Sequence, residues 1–208
     1  MYMYILFGVI SVLAIWSLWG FFSSNVEHTP YTVLESGKEY EIRLYPSHIV
    51  AQTTVSGSYE QALNEGFRIV AGYIFGGNTK KESIAMTAPV LEQKALSENI
   101  AMTAPVTASI EGESHTIAFG MPASYTLATL PTPNDPRVTL VTIPEKKMAV
   151  MRFSWFRSTN RVEAKKQELL AALKRDSLSA MGEVQYAGYN APWTPPWMTR
   201  NEVLVEVE

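Results

Sequence analysis

The chain has 208 residues, 47% of them apolar and 18% charged, with a net charge of −3 and no cysteine. That length suits one domain with a substantial core, and the missing thiols exclude disulfides, thiolate metal sites and a cysteine nucleophile. The slight acidity argues against phosphate-backbone binding as a main activity, so no nucleic-acid partner is expected.

No Asp, Glu, Lys or Arg precedes Glu27. The 21-residue run Tyr2–Phe22 would span roughly 32 Å as a helix, close to the ~30 Å of a hydrocarbon core. Tyr2 and Tyr4 stand at one end and Trp16, Trp19, Phe21 and Phe22 toward the other, as in interfacial aromatic belts. No cation leads the run, it is long for a signal-peptide core, and Phe22-Ser23-Ser24-Asn25 is a poor cleavage site. It therefore reads as an uncleaved single-pass anchor, with the lipid bilayer as partner of residues 2–22 and the membrane as location. Lys38 and Arg43 are the cations that follow within about 20 residues, which leaves the side of the membrane open. The boundaries are 1–26 for the anchor, 27–38 for a polar linker and 39–208 for the folded domain.

Tyr40–Tyr45 alternates and His48–Val55 is rich in β-branched residues, so two strands are predicted, broken near Pro46. Ser58-Tyr59-Glu60-Gln61 has capping-box spacing and opens a helix that runs to about Ile74 and stops at Gly76-Gly77. This helix carries two apolar stripes, one of Leu63, Phe67, Val70 and Ile74, the other of Tyr59, Ala62, Ile69 and Tyr73. One stripe suffices to dock a helix on a sheet; the second has three candidate partners, namely more core, another protein or a flat apolar ligand.

An identical repeat follows: IAMTAPV at 84–90 and again at 100–106. In extended conformation each copy sets Ile, Met, Ala and Val on one side and Ala, Thr and Pro on the other. The proline places each copy at an edge, bulge or strand end, and the spacing suggests a hairpin whose methionines offer deformable apolar surface to a core or a ligand. Thr116–Met121, Val138–Ile143 and Lys147–Ser154 read as strands, and Tyr125–Arg137, with three prolines, reads as a loop. Asn160–Glu163 has capping-box spacing for a second helix, carrying Val162, Leu169, Leu170 and Leu173 and ending near Met181-Gly182. Val184–Tyr189 and Glu202–Val207 close the chain as strands, joined by the aromatic, proline-rich loop Ala191–Thr199. The order gives two β-α-β-β halves and an α+β domain, either one curved sheet or a barrel, with two helices outside.

Chemical signatures are sparse. His28, His48 and His115 lack metal-site spacing, and there is no Gly-x-Ser-x-Gly elbow, phosphate loop or dinucleotide fingerprint. Arg152, Arg157, Arg161, Lys165 and Lys166 cluster near the start of the second helix, suited to a solvated face or an anionic ligand. These features describe a membrane-tethered binder of something apolar, with no visible catalytic machinery.

The strings YEIRLYP (40–46), GFRIVAGYIFGGN (66–78), IAMTAPV (84–90), MPASYTLATLPTPNDPRV (121–138), AGYN (187–190) and RNEV (200–203) resemble the SOUL haem-binding family, in family order from Lys38 to Glu206. The resemblance implies a distorted antiparallel β-barrel of two β-α-β-β halves with two flanking helices, an architecture shared with GyrI-like effector domains. No helix-turn-helix segment is present, so a DNA-binding role is not carried over. The resemblance further implies non-covalent, non-enzymatic binding of haem or another tetrapyrrole in a shallow apolar cleft beside the first helix. That cleft would be lined here by Asn64, Phe67, Val70 and Ala71, with Met86 as neighbour, in a membrane-tethered carrier or buffer. Some relatives have a histidine as proposed iron ligand where this chain has Leu44; His48 would point elsewhere unless the turn at Pro46 redirects it. Arg68 is the one cation the first helix offers to propionates, and Met86, Met102 and Tyr189 are the other residues considered for iron, each also suited to a core or wall. The alternatives are an enzyme using the same cleft, with Glu41, Glu65 and Tyr189 as acid–base candidates, or an envelope interaction module.

Overall fold

The computed structural model describes residues 2–4, 6–8, 11, 16–17, 27–80, 83–84, 87–88, 90–94, 114–190 and 193–208. Most of the expected anchor, Met86, Met102 and the second IAMTAPV copy lie outside these residues. Residues 2–4, 6–8, 11 and 16–17 are helical, and among the described residues no helix is long and apolar enough to cross a membrane.

The strands are β1 (Glu27–His28), β2 (Thr32–Ser36), β3 (Glu41–Tyr45), β4 (His48–Ser56), β5 (Thr87–Ala88), β6 (Val90–Lys94), β7 (Ser114–Gly120), β8 (Thr139–Ile143), β9 (Lys146–Phe153), β10 (Ala180–Gly188) and β11 (Asn201–Val207). Helix α1 (Tyr59–Ile74) follows β4, and α2 (Thr159–Arg175) follows β9. Strands β1 and β5 form a small parallel pair; the other nine build one sheet in the order β2-β3-β9-β11-β10-β6-β7-β4-β8. Every neighbouring pair in that sheet is antiparallel. The pattern strand, helix, strand, strand occurs twice, and the halves meet at β6 and β10.

The connections force the sheet to curl. Strands β3 and β4 stand six places apart in it, about 29 Å at ~4.8 Å per strand. Yet only Pro46-Ser47 separates them in sequence, and three Cα steps reach at most about 11 Å. Strands β8 and β9 are likewise six places apart and joined by Pro144-Glu145. Both ends of the sheet are thus drawn together, but among the described residues it stays open, with β2 and β8 as its edges. The expected closed barrel is corrected here: a proline, lacking a ladder donor, occupies each crossing, and β3 and β4 leave their crossing to pair with β9 and β8 instead of with each other.

The curl gives the sheet an outer face for the helices and an inner concave face. On β9, Ala149, Met151 and Phe153 point outward to Val162, Leu169 and Leu173 of α2, while Met148 and Val150 point inward with Tyr45, Tyr189 and Leu204. Helix α1 seats Leu63, Ile69, Val70, Tyr73 and Ile74 on Ala51, Ile117 and Phe119 of β4 and β7. Ile84, from the first IAMTAPV copy, joins that cluster, its N–H bonded to the Ile74 carbonyl at 2.8 Å.

Helix α1 begins and ends as the sequence predicts. The Ser58 N–H donates to Gln61 Oε1 at 3.3 Å in a capping box. At the far end, Gly77 and Gly76 N–H donate to the Gly72 and Tyr73 carbonyls, with Gly76 at φ +106°, a Schellman stop. Helix α2 differs from expectation at both ends. Ser158, not Asn160, is its cap, accepting from the Arg161 N–H. It stops at Arg175, because Ser177 takes the left-handed conformation (φ +59°) and Leu178 N–H closes on the Leu173 carbonyl. Gly182, read as a helix stop, is at φ +83° within β10, at a register shift between Met181 and Gln185, so it marks a β-bulge. The stretch 27–38, expected as a linker, contributes β2, an exposed edge strand paired with β3.

Two glycines of α1 separate propensity from packing. A Cβ at Gly66 would lie 2.8 Å from Ile117 Cγ1, whereas one at Gly72 would meet nothing within 4 Å. Alanine in a helix interior is favoured over glycine by about 1 kcal/mol, and overpacking costs about 1–3 kcal/mol. Gly72→Ala is expected to raise stability by up to about 1 kcal/mol and Gly66→Ala to lower it, as read from urea denaturation midpoints.

Candidate functional site

The solvent face of α1 presents Asn64, Phe67, Arg68, Gly72 and, just past its end, Phe75. Phe67 is 40% exposed, with its ring resting on Phe119 of β7 at 5.2 Å between centroids and a tilt of 58°. Val70 is fully buried and Ala71 is buried too, so of the five expected lining residues, Asn64 and Phe67 face solvent, two lie beneath them, and Met86 is outside the described residues. A cleft of about 230 Å³ runs between α1 and the 134–137 loop, lined by Arg68, Gly72, Tyr73, Asn134, Asp135 and Arg137 among others. Arg137 bonds Asp135 at 2.7 Å and lies 3.7 Å from Glu65. Its hydrogen bond holds the Asp135 carboxyl down at about 2. Among the described residues Arg68 makes no ion pair. The face is thus an aromatic plate edged by the unpaired Arg68 and by an Arg137 that Asp135 and Glu65 already engage.

The inner face holds a buried charge network. Glu202 on β11 is fully buried. Its Oε1 accepts from Arg200 (2.8 Å), and its Oε2 accepts from Arg43 (3.0 Å) and from the Tyr189 hydroxyl (2.7 Å). Arg43 also binds Glu41 at 2.7 Å, and the two guanidinium groups lie over the rings of Tyr31 and Tyr189. Burial opposes the charge on Arg43, but Glu202 more than offsets it and its pKa rises. Burial, then the charge of Glu202, drives the Tyr189 phenol well above its ordinary value. Two arginines against two carboxylates, all engaged, make a structural tie between β3 and β11. Of the acid–base candidates, Glu41 and Tyr189 belong to this network, while Glu65 is on the α1 surface beside Arg137.

His48 also faces inward. On β4, Ile49 and Ala51 pack with α1, whereas His48, Val50 and Gln52 line a cavity of about 170 Å³ on the inner face with Leu91, Met148 and Leu204. The His48 Nδ1–H donates to the Pro46 carbonyl at 2.9 Å, so the turn orients the ring without redirecting it to α1. A second cavity of about 350 Å³, beside Tyr125 and Leu127, is bordered by both His48 and His28. His28 has its pKa lowered, first by burial and then by Arg200, and its ring meets Tyr189 edge-on at 5.7 Å.

The model of one protein family, described as SOUL heme-binding protein, matches residues 26–206. The chain belongs to the SOUL heme-binding protein family. Haem or a related tetrapyrrole is the cofactor that membership supports. No curated protein matches the chain. Among solved structures, the C-terminal domain of EcmrR is similar at 10% identity, with a TM-score of 0.59, covering 81% of this chain and 98% of that one. An uncharacterized conserved protein from Listeria innocua follows at 14% identity and TM-score 0.53, covering 82% and 93%. A protein from the same organism described as a hydrolase has 13% identity and TM-score 0.51, covering 84% and 94%. At these identities the likeness shows the shared fold alone.

The SOUL strings map onto the two features just described. GFRIVAGYIFGGN builds α1 with its open face and Schellman stop, and MPASYTLATLPTPNDPRV supplies Asp135 and Arg137 beside it. YEIRLYP, AGYN and RNEV deliver Arg43, Tyr189, Arg200 and Glu202 to the inner network. Sequence reasoning passed over that network, although period-2 alternation already set Arg43 with Tyr45 and Glu202 with Leu204 on one sheet face. Removing one member of a buried ion set strands the rest, at a cost of about 3–5 kcal/mol. Glu202→Gln is expected to lower unfolding free energy by that amount in denaturant titrations, and Tyr189→Phe by only about 1.5–3 kcal/mol, the worth of one hydrogen bond to a charge.

Proposed function

We propose that this SOUL protein binds haem or a related tetrapyrrole non-covalently on the open face of α1, as a membrane-tethered carrier or buffer held by residues 2–22 and without catalysis of its own. Phe67 carries the reading. It is a large aromatic left open to solvent on a helix whose other apolar side chains are buried, and it is backed by Phe119. A porphyrin offers the matching chemistry, a flat apolar ring with two carboxylates at its edge. The ring would lie on Phe67 near Asn64, and Arg68, which makes no ion pair among the described residues, would meet a propionate.

The inner-face cavity beside His48, Val50 and Gln52 fits less well: pockets for drug-sized ligands run to about 300–1,000 Å³, and it holds about 170 Å³. When bound, haem supplies a redox-active iron; the residues of α1 hold the ring plane and its charges and include no iron ligand among Asn64, Phe67, Arg68, Gly72 and Phe75. Binding by one face and one unpaired cation favours exchange over permanent residence, which suits a carrier. The uncharged run 2–22 supports the tether.

The test is a haemin titration of the full chain in detergent, followed by the Soret band. Phe67→Asp sets a carboxylate against the ring plane and is expected to weaken uptake about tenfold or more with an unchanged circular-dichroism spectrum. Undiminished uptake by a folded Phe67→Asp protein would remove the site from α1.

A further inference from the structure

One end of the domain exposes an aromatic cluster that ligand binding does not use. Trp155 and Phe156, in the β9–α2 connection, are 47% and 66% exposed; Trp193 and Trp197, in the loop before β11, are 59% and 42% exposed. Solitary exposed apolar residues are ordinary, but a contiguous patch marks an interaction surface.

The patch is built, not incidental. Trp155 has φ +88°, a costly conformation for a residue with a large side chain. Four hydrogen bonds hold it there. Its N–H donates to the Pro196 carbonyl (3.0 Å) and to Thr199 Oγ1 (2.9 Å), and its carbonyl accepts from Thr199 Oγ1 (3.1 Å) and Asn201 Nδ2 (3.0 Å). These bonds clamp the two tryptophan-bearing loops to one another while Trp155 and Phe156 stay open to solvent. Arg157 and Arg161 follow on the same segment, both exposed and without an ion pair among the described residues. No acid occurs between Glu145 and Glu163.

The uncharged N-terminal run touches this patch through Trp16. Trp16 donates its indole N–H to the Trp193 carbonyl at 2.9 Å, and its ring meets that of Trp197 edge-on at 5.4 Å. Trp16 lies six residues before Phe22, about 9 Å along a helix. With residues 2–22 across a bilayer, that contact sets the tips of the aromatic loops about 9 Å inside the end of the span, within the roughly 5–10 Å to which interfacial elements bury their apolar side chains. Tryptophan, with an apolar body and one N–H, is enriched at that depth, and unpaired arginines suit anionic headgroups.

We propose that Trp155, Phe156, Trp193 and Trp197, with Arg157 and Arg161, form a docking surface for an anionic bilayer, so that the domain lies against the membrane instead of swinging on its tether. The proposal rests on the reading of residues 2–22 as the anchor. It sets Thr159 of α2 near the lipid and Arg175 about 24 Å along the helix axis from it.

The natural chain has no cysteine, so single labels are clean. Phe156→Cys and Lys174→Cys, each carrying an environment-sensitive NBD dye, are reconstituted as full chains into phosphatidylcholine–phosphatidylglycerol vesicles and floated on a gradient. The expected result is flotation of both, with blue-shifted emission at 156 that is quenched by headgroup-proximal brominated lipid, and neither effect at 174. Arg157→Glu with Arg161→Glu should reduce the quenching at 156. Flotation with the 156 label as water-exposed as the 174 label overturns the docking surface and leaves the anchor standing. Failure to float overturns the anchor, and the docking proposal with it. Protection at 156 that brominated lipid does not quench, and that fades as protein is diluted in the vesicles, identifies a second copy as the occupant and also overturns the proposal. Trp197→Cys repeats the measurement on the other loop should labelling at 156 disturb the fold.

Discussion

Two connections of two residues each determine the form of this domain. Pro46-Ser47 and Pro144-Glu145 join strands that stand six places apart in the sheet, and a flat sheet cannot satisfy them. Curling satisfies them, and it gives an outer face that the two helices cover and an inner concave face lined by side chains of the sheet itself. Apolar side chains fill the centre of that inner face, and the Arg43–Glu202–Arg200 set ties β3 to β11 beside them. Prolines at both crossings leave the curl open-edged, so its ends are held by covalent connection and side-chain contact.

This division of labour separates stability from recognition. Charges buried on the inner face are mutually satisfied and offer nothing to a ligand. The surfaces that the packing does not consume are the face of α1 around Phe67 and the clamped tryptophan loops, and it is to these that we assign recognition. The first is flat and carries Arg68, unpaired among the described residues, at its edge, which suits a planar apolar ring bearing carboxylates. The second lies beside the N-terminal apolar run, which suits a bilayer. A tethered domain docked by one end would keep its ligand face in a fixed relation to the membrane.

Local signals made much of the fold legible in sequence. The capping box at Ser58 and the Gly76-Gly77 stop fixed α1 because both devices are intrinsic to the helix. The same reasoning misjudged α2, whose left-handed stop is a serine and whose following glycine serves a bulge; position, not residue type, decides what a glycine means. Closure of the sheet was not legible, since edge pairing is a long-range property that no window of sequence contains. Of the candidate site, Phe67 and Asn64 are open to solvent. Val70 and Ala71 are not, because a 100° rotation per residue turns Val70 into the core, and the packing of its neighbours closes over Ala71. The inner network escaped notice because its members come from strands far apart in the chain, although the strings that carry it were recognisable as a family signature.

The central claim is that the ring is held by its plane and its carboxylates, without iron ligation from α1. The direct test titrates the full chain with haemin and with iron-free protoporphyrin IX in parallel, following absorbance and tryptophan quenching. Binding through the ring plane predicts saturation at one ligand per chain with both, at similar affinity. Saturable binding of haemin alone would contradict it and would move the site to a side chain able to ligate iron, with His48 on the inner face the first to be replaced.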